Sequence, residues 1–375
     1  MCRQCGAGRE GYSMGFSCGI IGLPNAGKST IFNALTALSV AAQPYPFCTI
    51  EPNQGIVPVP DERLARLASL VHPEKVTPTT IEFIDIAGLV KDAHKGEGLG
   101  NRFLGQIREV DAVAHVVRCF EGTNVPHAYE GIDPLRDMDV VETEIIISDL
   151  EIVEERLDKM ERLARVSKEK HGPEQDVLHR VKAVLEAGRF VDPGAFSGEE
   201  ALLLASFNLI AAKPLFYIAN IDEADMEKAT LPVVEEAAKG RGRQVVYISG
   251  KLEEELAVLP ADDRQGFMDM YGMPGAGIER IIKTGYAILD LITFYTVVGK
   301  EMRAWTVRRE TTASKAAGKI HSDMERGFIR AEVIAYEDFV RAGSEHAARE
   351  KGWARVEGKE YVVQDGDILH IRFNV

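Results

Sequence analysis

Residues Gly22-Leu23-Pro24-Asn25-Ala26-Gly27-Lys28-Ser29 satisfy the spacing G-x-x-x-x-G-K-[ST], a pattern suited to holding phosphates. Its glycines let the chain wrap closely enough for successive backbone N–H groups to converge on phosphate oxygens, and the N-terminus of a following helix adds its positive end. In such a loop Lys28 reaches the β- and γ-phosphates and Ser29 ligates Mg²⁺, while Asn25, Ala26, Gly27 and Thr30 complete the wrap. Asp85-Ile86-Ala87-Gly88 ends a second apolar run. There a phosphate-sensing switch carries an aspartate for the Mg²⁺ shell and a glycine that senses the γ-phosphate. Thr49, in the loop 44–53 between the two motifs, is the candidate switch threonine for the metal, so the predicted metal set is Ser29, Thr49 and Asp85.

The run Asn220-Ile221-Asp222-Glu223 stands where GTP-binding members of this fold carry N-K-x-D. The aspartate of that motif accepts from guanine N1–H and the 2-amino group. Here the lysine is absent and the fourth residue is glutamate. Adenine has an acceptor at N1 and no 2-amino group, so a carboxylate on that edge receives nothing. Glu223, one carbon longer, can turn away and leave backbone groups near Ile221 to meet the adenine N6 edge, which favours ATP. Ser249, ending the next predicted strand, lies near the base in the same arrangement. For hydrolysis, Leu89 occupies the place where many small GTPases carry the glutamine that orients water. The substitutes are His115, a residue supplied in trans by a partner, or K⁺ held near Asn25, and intrinsic turnover is expected to be slow. The predicted catalytic set is Lys28, Gly88 and His115. The glycine-rich run 95–101 supplies the freedom a nucleotide-sensing switch needs.

These residues need a scaffold that brings strand ends together. Residues 16–22 read as a buried strand followed by a helix over 28–38, and further extended runs fall at 79–86, 112–119, 214–220 and 244–249. Helical patterns lie at 61–70, 101–110 and 231–239. The alternation predicts an α/β fold, a parallel sheet with helices on both faces. It breaks near 132, where Ile146, Leu150, Val153, Leu157, Met160 and Ala164 step by four and three, and Leu178, Val181 and Leu185 resume after His171-Gly172-Pro173. The spacing predicts an antiparallel helical hairpin inserted at 136–204, either a solvated bundle or an arm for a partner. A helix is expected over 277–292. Short β-like runs at 304–307, 328–334, 359–363 and 368–373, with a helix-capable stretch 312–325, then define a small α+β module at 291–375. The expected division is a disordered leader 1–13, a phosphate-binding domain over 14–135 and 205–290, the hairpin and the module.

The chain has 375 residues, 45% hydrophobic and 27% charged, ordinary globular values that exclude disordered, collagen-like and purely coiled-coil readings. Its longest apolar stretch, 201–212, is shorter than the ~20 residues a membrane helix needs, so no membrane association is expected. Five cysteines in the first third make poor material for a disulfide framework and fit a cytoplasmic protein. A net charge of −14 argues against sequence-independent binding to naked nucleic acid, and no DNA partner is expected. Between 300 and 330, however, eight cations face four acids, and binding through that face should weaken steeply with salt.

Taken together, GLPNAGKST, PFCTIEPN, DIAGLVK with KGEGLGN, HVVRCFE, Asn220 to Glu223, and a C-terminal stretch with RAWTV, AAGKIHSD, GFIRAEV and DGDILHIRFNV resemble the YchF-type, or Obg-like, ATPases of the translation-factor P-loop group. The resemblance runs from Met14 to Val375. It implies a P-loop G-domain, a coiled-coil insertion and a C-terminal TGS domain of β-grasp type. It further implies ATP preferred over GTP, Mg²⁺ dependence, and association with the ribosome in translation or stress regulation through the TGS domain and the arm. Carried over by residue, Asn25 to Thr30 match the phosphate loop, Ser29 and Thr49 the Mg²⁺ ligands, and Ile221 the backbone contact to adenine. Leu89 matches the hydrophobic replacement of the glutamine, and His115 the histidine of HVVRCFE. Asp92 and His94 depart from the family's smaller residues. The competing readings are a GTP-using Obg-type assembly factor and an ATP-gated scaffold that does not hydrolyse.

Overall fold

The computed structural model describes residues 14–41, 53–86, 99–121, 127–167, 172–228, 231–273 and 275–374. In chain order the strands are β1 (Met14–Ile21), β2 (Gln54–Pro58), β3 (Lys75–Thr77), β4 (Thr80–Asp85), β5 (Ala112–Cys119), β6 (Leu215–Ile221), β7 (Val245–Ile248), β8 (Leu291–Val298), β9 (Glu301–Arg308), β10 (Phe328–Ile334), β11 (Arg355–Glu357) and β12 (Ile368–Phe373). The helices are α1 (Lys28–Ala41), α2 (Glu62–Val71), α3 (Leu99–Glu109), α4 (Pro134–Ser167), α5 (Pro173–Glu186), α6 (Glu199–Phe207), α7 (Pro232–Gly240), α8 (Gly250–Val258), α9 (Ala261–Met270), α10 (Gly277–Ile288), α11 (Ala313–Ile320), α12 (Ser322–Arg326), α13 (Tyr336–Ala342) and α14 (Glu345–Glu350). No helix among the described residues is long and apolar enough to cross a membrane.

Two compact units emerge, the larger built from Cys18–Gly55 and Phe83–Thr284. One sheet has the order β2-β4-β1-β5-β6-β7, and the pairs β1·β5, β5·β6 and β6·β7 are parallel. Strands β5 and β6 are apolar and buried almost throughout, as parallel strands covered on both faces must be. The predicted hairpin is α4 against α5. Val153 and Leu157 of α4 and Leu178, Val181 and Leu185 of α5 are buried, with Leu150 and Met160 packed at their margin. Its root is fixed by a buried charge: Asp149 is fully enclosed, and its carboxylate accepts from Arg108 at 2.6 Å and from the Ala211 N–H at 2.6 Å. Removing one partner of such a pair strands a charge in the interior, a loss of about 3–5 kcal/mol.

The smaller unit contains Ile56–Glu82 and everything from Gly285 onward. Its sheet has the order β11-β10-β12-β8-β9-β3. One apolar cluster joins Phe294, Trp305, Val333 and Leu369 to Ala313 and Ala316 of α11. Another joins Tyr295, Met302, Ile334 and Ile368 to Leu64 and Leu67 of α2 and Phe339 of α13.

Three expectations change. Residues 61–77, read from sequence as part of the phosphate-binding domain, belong with the C-terminal module: β3 pairs in parallel with β9, and Arg63 of α2 holds Asp365 at 2.9 Å. The run 359–363 makes only an isolated bridge, Thr312 to Val362, instead of a strand, because the preceding turn already directs backbone groups of 359 and 361 to the start of α11. The stretch 312–325 is two helices, broken at His321, whose backbone is extended and whose imidazole Nδ1 caps α12 by accepting from the Asp323 N–H at 3.1 Å. Four cations of the basic face at 300–330 are also ion-paired. Lys300 pairs with Glu74, Arg309 with Asp290, Lys315 with Glu325 and Arg326 with Asp323, while Arg308, Lys319 and Arg330 have no ion pair among the described residues.

Candidate nucleotide-binding site

The phosphate loop leaves β1 at Gly22, whose φ of 147° and backbone packing exclude a side chain: a Cβ there would lie 2.4 Å from the Val116 carbonyl oxygen. Asn25 and Gly27 also take positive φ, 62° and 95°, turning the loop back on itself before α1 starts at Lys28. A Cβ on Gly27 would sit 2.1 Å from Nδ2 of Asn220. That approach is productive, since the Asn220 amide donates to the Ala26 carbonyl at 3.0 Å and accepts from the Gly250 N–H at 2.9 Å. Asn220 is therefore a brace between the phosphate loop and the start of α8, buried to 5% exposure.

Lys28 is buried, and its ammonium donates to the Leu23 carbonyl at 2.9 Å. Burial pushes its pKa down, and the Asp85 carboxylate partly opposes that shift. The Ser29 hydroxyl donates to Asp85 at 3.1 Å, so a residue of α1 and one at the end of β4, far apart in sequence, meet as hard oxygen donors. No cluster of three or more His, Cys, Asp or Glu side chains among the described residues could hold a metal unaided. The Ser29–Asp85 set instead fits Mg²⁺, which takes few protein ligands and draws the rest from phosphate oxygens and water.

The loop opens onto a cleft of about 480 Å³ lined by Asn25, Gly27, Lys28, Ser29, Thr30, Phe120, Asn220, Ile221, Asp222, Glu223, Ser249, Lys251 and Glu254, a size in the range of small-ligand sites. Every predicted binding residue in the described regions lines it except Ala26, which is buried behind the loop at 2% exposure. Sequence reasoning did not single out Phe120, Asp222, Lys251 or Glu254. Phe120 follows β5 and carries the Arg118 guanidinium 4.5 Å from its ring centroid. The Asp222 carboxylate accepts from the Glu121 N–H at 3.1 Å, and the Glu223 carboxylate is ion-paired with the Lys251 ammonium. The signal for Lys251 was its place just after Ser249, at the start of a helix.

His115 is a different matter. It sits on β5 opposite Ile21 of β1 and Tyr217 of β6, 1% exposed, with its ring centroid 5.6 Å from that of Tyr217. Its Nδ1 finds no partner among the described residues. Burial, with the charges of Arg243, Arg241 and Lys28 adding to it, pushes the imidazole down to about 3. The side chain is thus a neutral group enclosed in the core. Thr49, Gly88, Leu89, Asp92 and His94 lie outside the described residues. Of the cysteines, Cys18 is buried with its thiol pushed up, and burial raises the Cys119 thiol to about 12, so neither is poised as a thiolate.

A mainly parallel sheet, with β2 antiparallel to β4 at its edge, whose β1 feeds a glycine-bent loop and a helix, with a serine–aspartate pair and a base-side cleft, defines a P-loop nucleotide-binding protein of the G-domain type. Consistent with this, the family model described as 50S ribosome-binding GTPase matches residues 17–155. YchF-GTPase_C, described as a protein of unknown function, matches 291–374. The chain is 48% identical to the ribosome-binding ATPase YchF of Haemophilus influenzae, over 96% of this chain and all of that protein. It is 43% identical, with the same coverage, to the Bacillus subtilis protein of that name. A solved structure described as the Schizosaccharomyces pombe YchF GTPase superposes with a TM-score of 0.85 at 34% identity, covering 97% of this chain and 99% of that one. The chain belongs to the YchF family.

Proposed function

We propose that this protein is a Mg²⁺-dependent ATPase that turns over slowly and whose nucleotide state governs its binding to the ribosome. The observation that carries the reading is a cleft lined by both the phosphate loop and the Asn220–Glu223 wall, with Ser29 of that lining donating to Asp85 behind it. The relatives' names differ in the base, ATPase for the bacterial proteins and GTPase for the yeast structure. Glutamate at 223 in place of aspartate supports adenine. In this reading Lys28 neutralises the β/γ-phosphates, Ser29, Thr49 and Asp85 hold Mg²⁺, Ile221 meets adenine through its backbone, and Gly88 reports the γ-phosphate.

His115 serves hydrolysis, as a neutral imidazole, only if nucleotide binding opens the core around its enclosed Nδ1 to water. K⁺ near Asn25 and a residue donated by the ribosome are the alternatives. Turnover compared in K⁺ and Na⁺ buffers, with and without ribosomes, separates them from His115. The hairpin α4–α5 and the C-terminal module, the latter through Arg308, Lys319 and Arg330, are the surfaces offered to ribosomal RNA or protein, and the protein works in the cytoplasm.

The test is equilibrium binding of fluorescent ATP and GTP analogues with Mg²⁺, on the wild type and on Ile221→Lys/Glu223→Asp. Tighter ATP binding that shifts toward GTP in the variant is expected. Tighter GTP binding by the wild type would move the protein to the GTP-using Obg group. Phosphate release absent in the wild type, or undiminished in Lys28→Ala, would remove the ATPase assignment.

A further inference from the structure

We infer that Lys251 sets the purine preference of the cleft by holding the Glu223 carboxylate away from the base edge. Glu223 opens the short turn Glu223–Lys228 that follows β6, and Lys251 is the second residue of α8. Both line the cleft beside Ile221 and Ser249, and their side chains form an ion pair across it. The other acid of this wall is engaged too, since the Asp222 carboxylate accepts from the Glu121 backbone. The pair with Glu223 in turn stabilises the charged ammonium of Lys251.

The consequence follows from the two purine edges. Guanine presents N1–H and a 2-amino group, donors that require an acceptor, and a site that leaves donors unpaired rejects their owner. Adenine presents a lone pair at N1, which an unneutralised carboxylate repels. An ammonium bound to Glu223 removes the acceptor guanine needs and cancels the repulsion adenine would meet. The extra methylene of glutamate over aspartate supplies the reach to Lys251. The inference rests on the reading that residues 220–223 face an adenine.

The experiment is competition between ATP and GTP, each with Mg²⁺, on full-length wild type, Lys251→Met, Lys251→Arg and Lys251→Met/Glu223→Met. Freeing Glu223 in Lys251→Met should lower the ATP-to-GTP affinity ratio by about tenfold, the scale of one hydrogen bond to a charged group. Lys251→Arg keeps a cation on Glu223 and should keep the wild-type ratio. The double variant, with no carboxylate to free, should restore it. A wild type that prefers ATP while Lys251→Met leaves the ratio unchanged would overturn the inference and leave the adenine reading standing. So would a Lys251→Met that loses ATP and GTP affinity equally, because Lys251 would then be touching the nucleotide itself. A wild type that prefers GTP would overturn the adenine reading, and the inference with it.

Discussion

Asn220 makes two buried hydrogen bonds to backbone groups 194 and 30 residues away, to the Ala26 carbonyl at 3.0 Å and from the Gly250 N–H at 2.9 Å. Asn220→Ala strands both groups, each at a loss of about 1–3 kcal/mol, so the larger unit should be destabilised by about 2–4 kcal/mol once partial relaxation is allowed. Gly27→Ala reaches the same brace by another route: its Cβ would lie 2.1 Å from the Asn220 amide nitrogen, so the amide must leave. To that it adds the strain of a side chain at φ 95°, about 1–2 kcal/mol. Because both substitutions destroy one device, their effects should not add. The double variant should be no more than about 1–2 kcal/mol worse than Asn220→Ala alone, the residual being the Gly27 strain. Urea unfolding followed by a probe in the larger unit, with and without saturating nucleotide, measures the cycle. Additive losses, or an Asn220→Ala variant within 0.5 kcal/mol of wild type, the range of an ordinary surface change, would show that the brace does not hold the loop.

Ser29→Ala removes the hydroxyl facing Asp85, so the Mg²⁺ concentration giving half-maximal hydrolysis should rise by about 10–100-fold, while nucleotide binding in EDTA stays near the wild-type value. A Mg²⁺ titration of phosphate release decides this, and an unshifted midpoint would place the metal elsewhere. His115 has a folded pKa of about 3 against about 6.5 in an unfolded chain. Between those values the unfolded state binds the extra proton, so acidification from pH 6.5 toward 3 lowers stability by about 1.4 kcal/mol per pH unit through this group. Above pH 6.5 the contribution is constant. His115→Gln should flatten the acid limb of stability against pH relative to wild type, and parallel limbs would mean that His115 is not enclosed in solution. If it also serves hydrolysis, the same variant lowers single-turnover ATP cleavage with ATP affinity unchanged.

The phosphate loop was legible because its code is local: glycine at 22 and 27, where positive φ and close backbone leave no room for Cβ, and a strand and helix on either side. The hairpin was legible for the same kind of reason, since a 3.6-residue period writes the buried stripe of α4 and α5 directly into residue spacing. The C-terminal module at 291–375 was visible as a change of pattern, and the strands at 328–334 and 368–373 fall as read. Its full extent was not visible, because β3 pairs with β9 across more than 220 residues and no local pattern records a partner so distant.

The site divides in the same way. Residue type and order singled out Lys28, Ser29, Asp85 and the Asn220–Glu223 run as candidates for the phosphate, metal and base positions, since each motif is short and its chemistry is carried by its own side chains. Only the tertiary structure decided what those side chains touch. It made Asn220 a brace, gave Glu223 to Lys251, enclosed His115 as a neutral imidazole, and paired four cations of the basic face with partners such as Glu74 and Asp290. Sequence fixes which groups a chain can offer, but burial and pairing depend on what packing brings within a few ångströms. That proximity sets whether a charge is spent on a neighbour or left for a ligand.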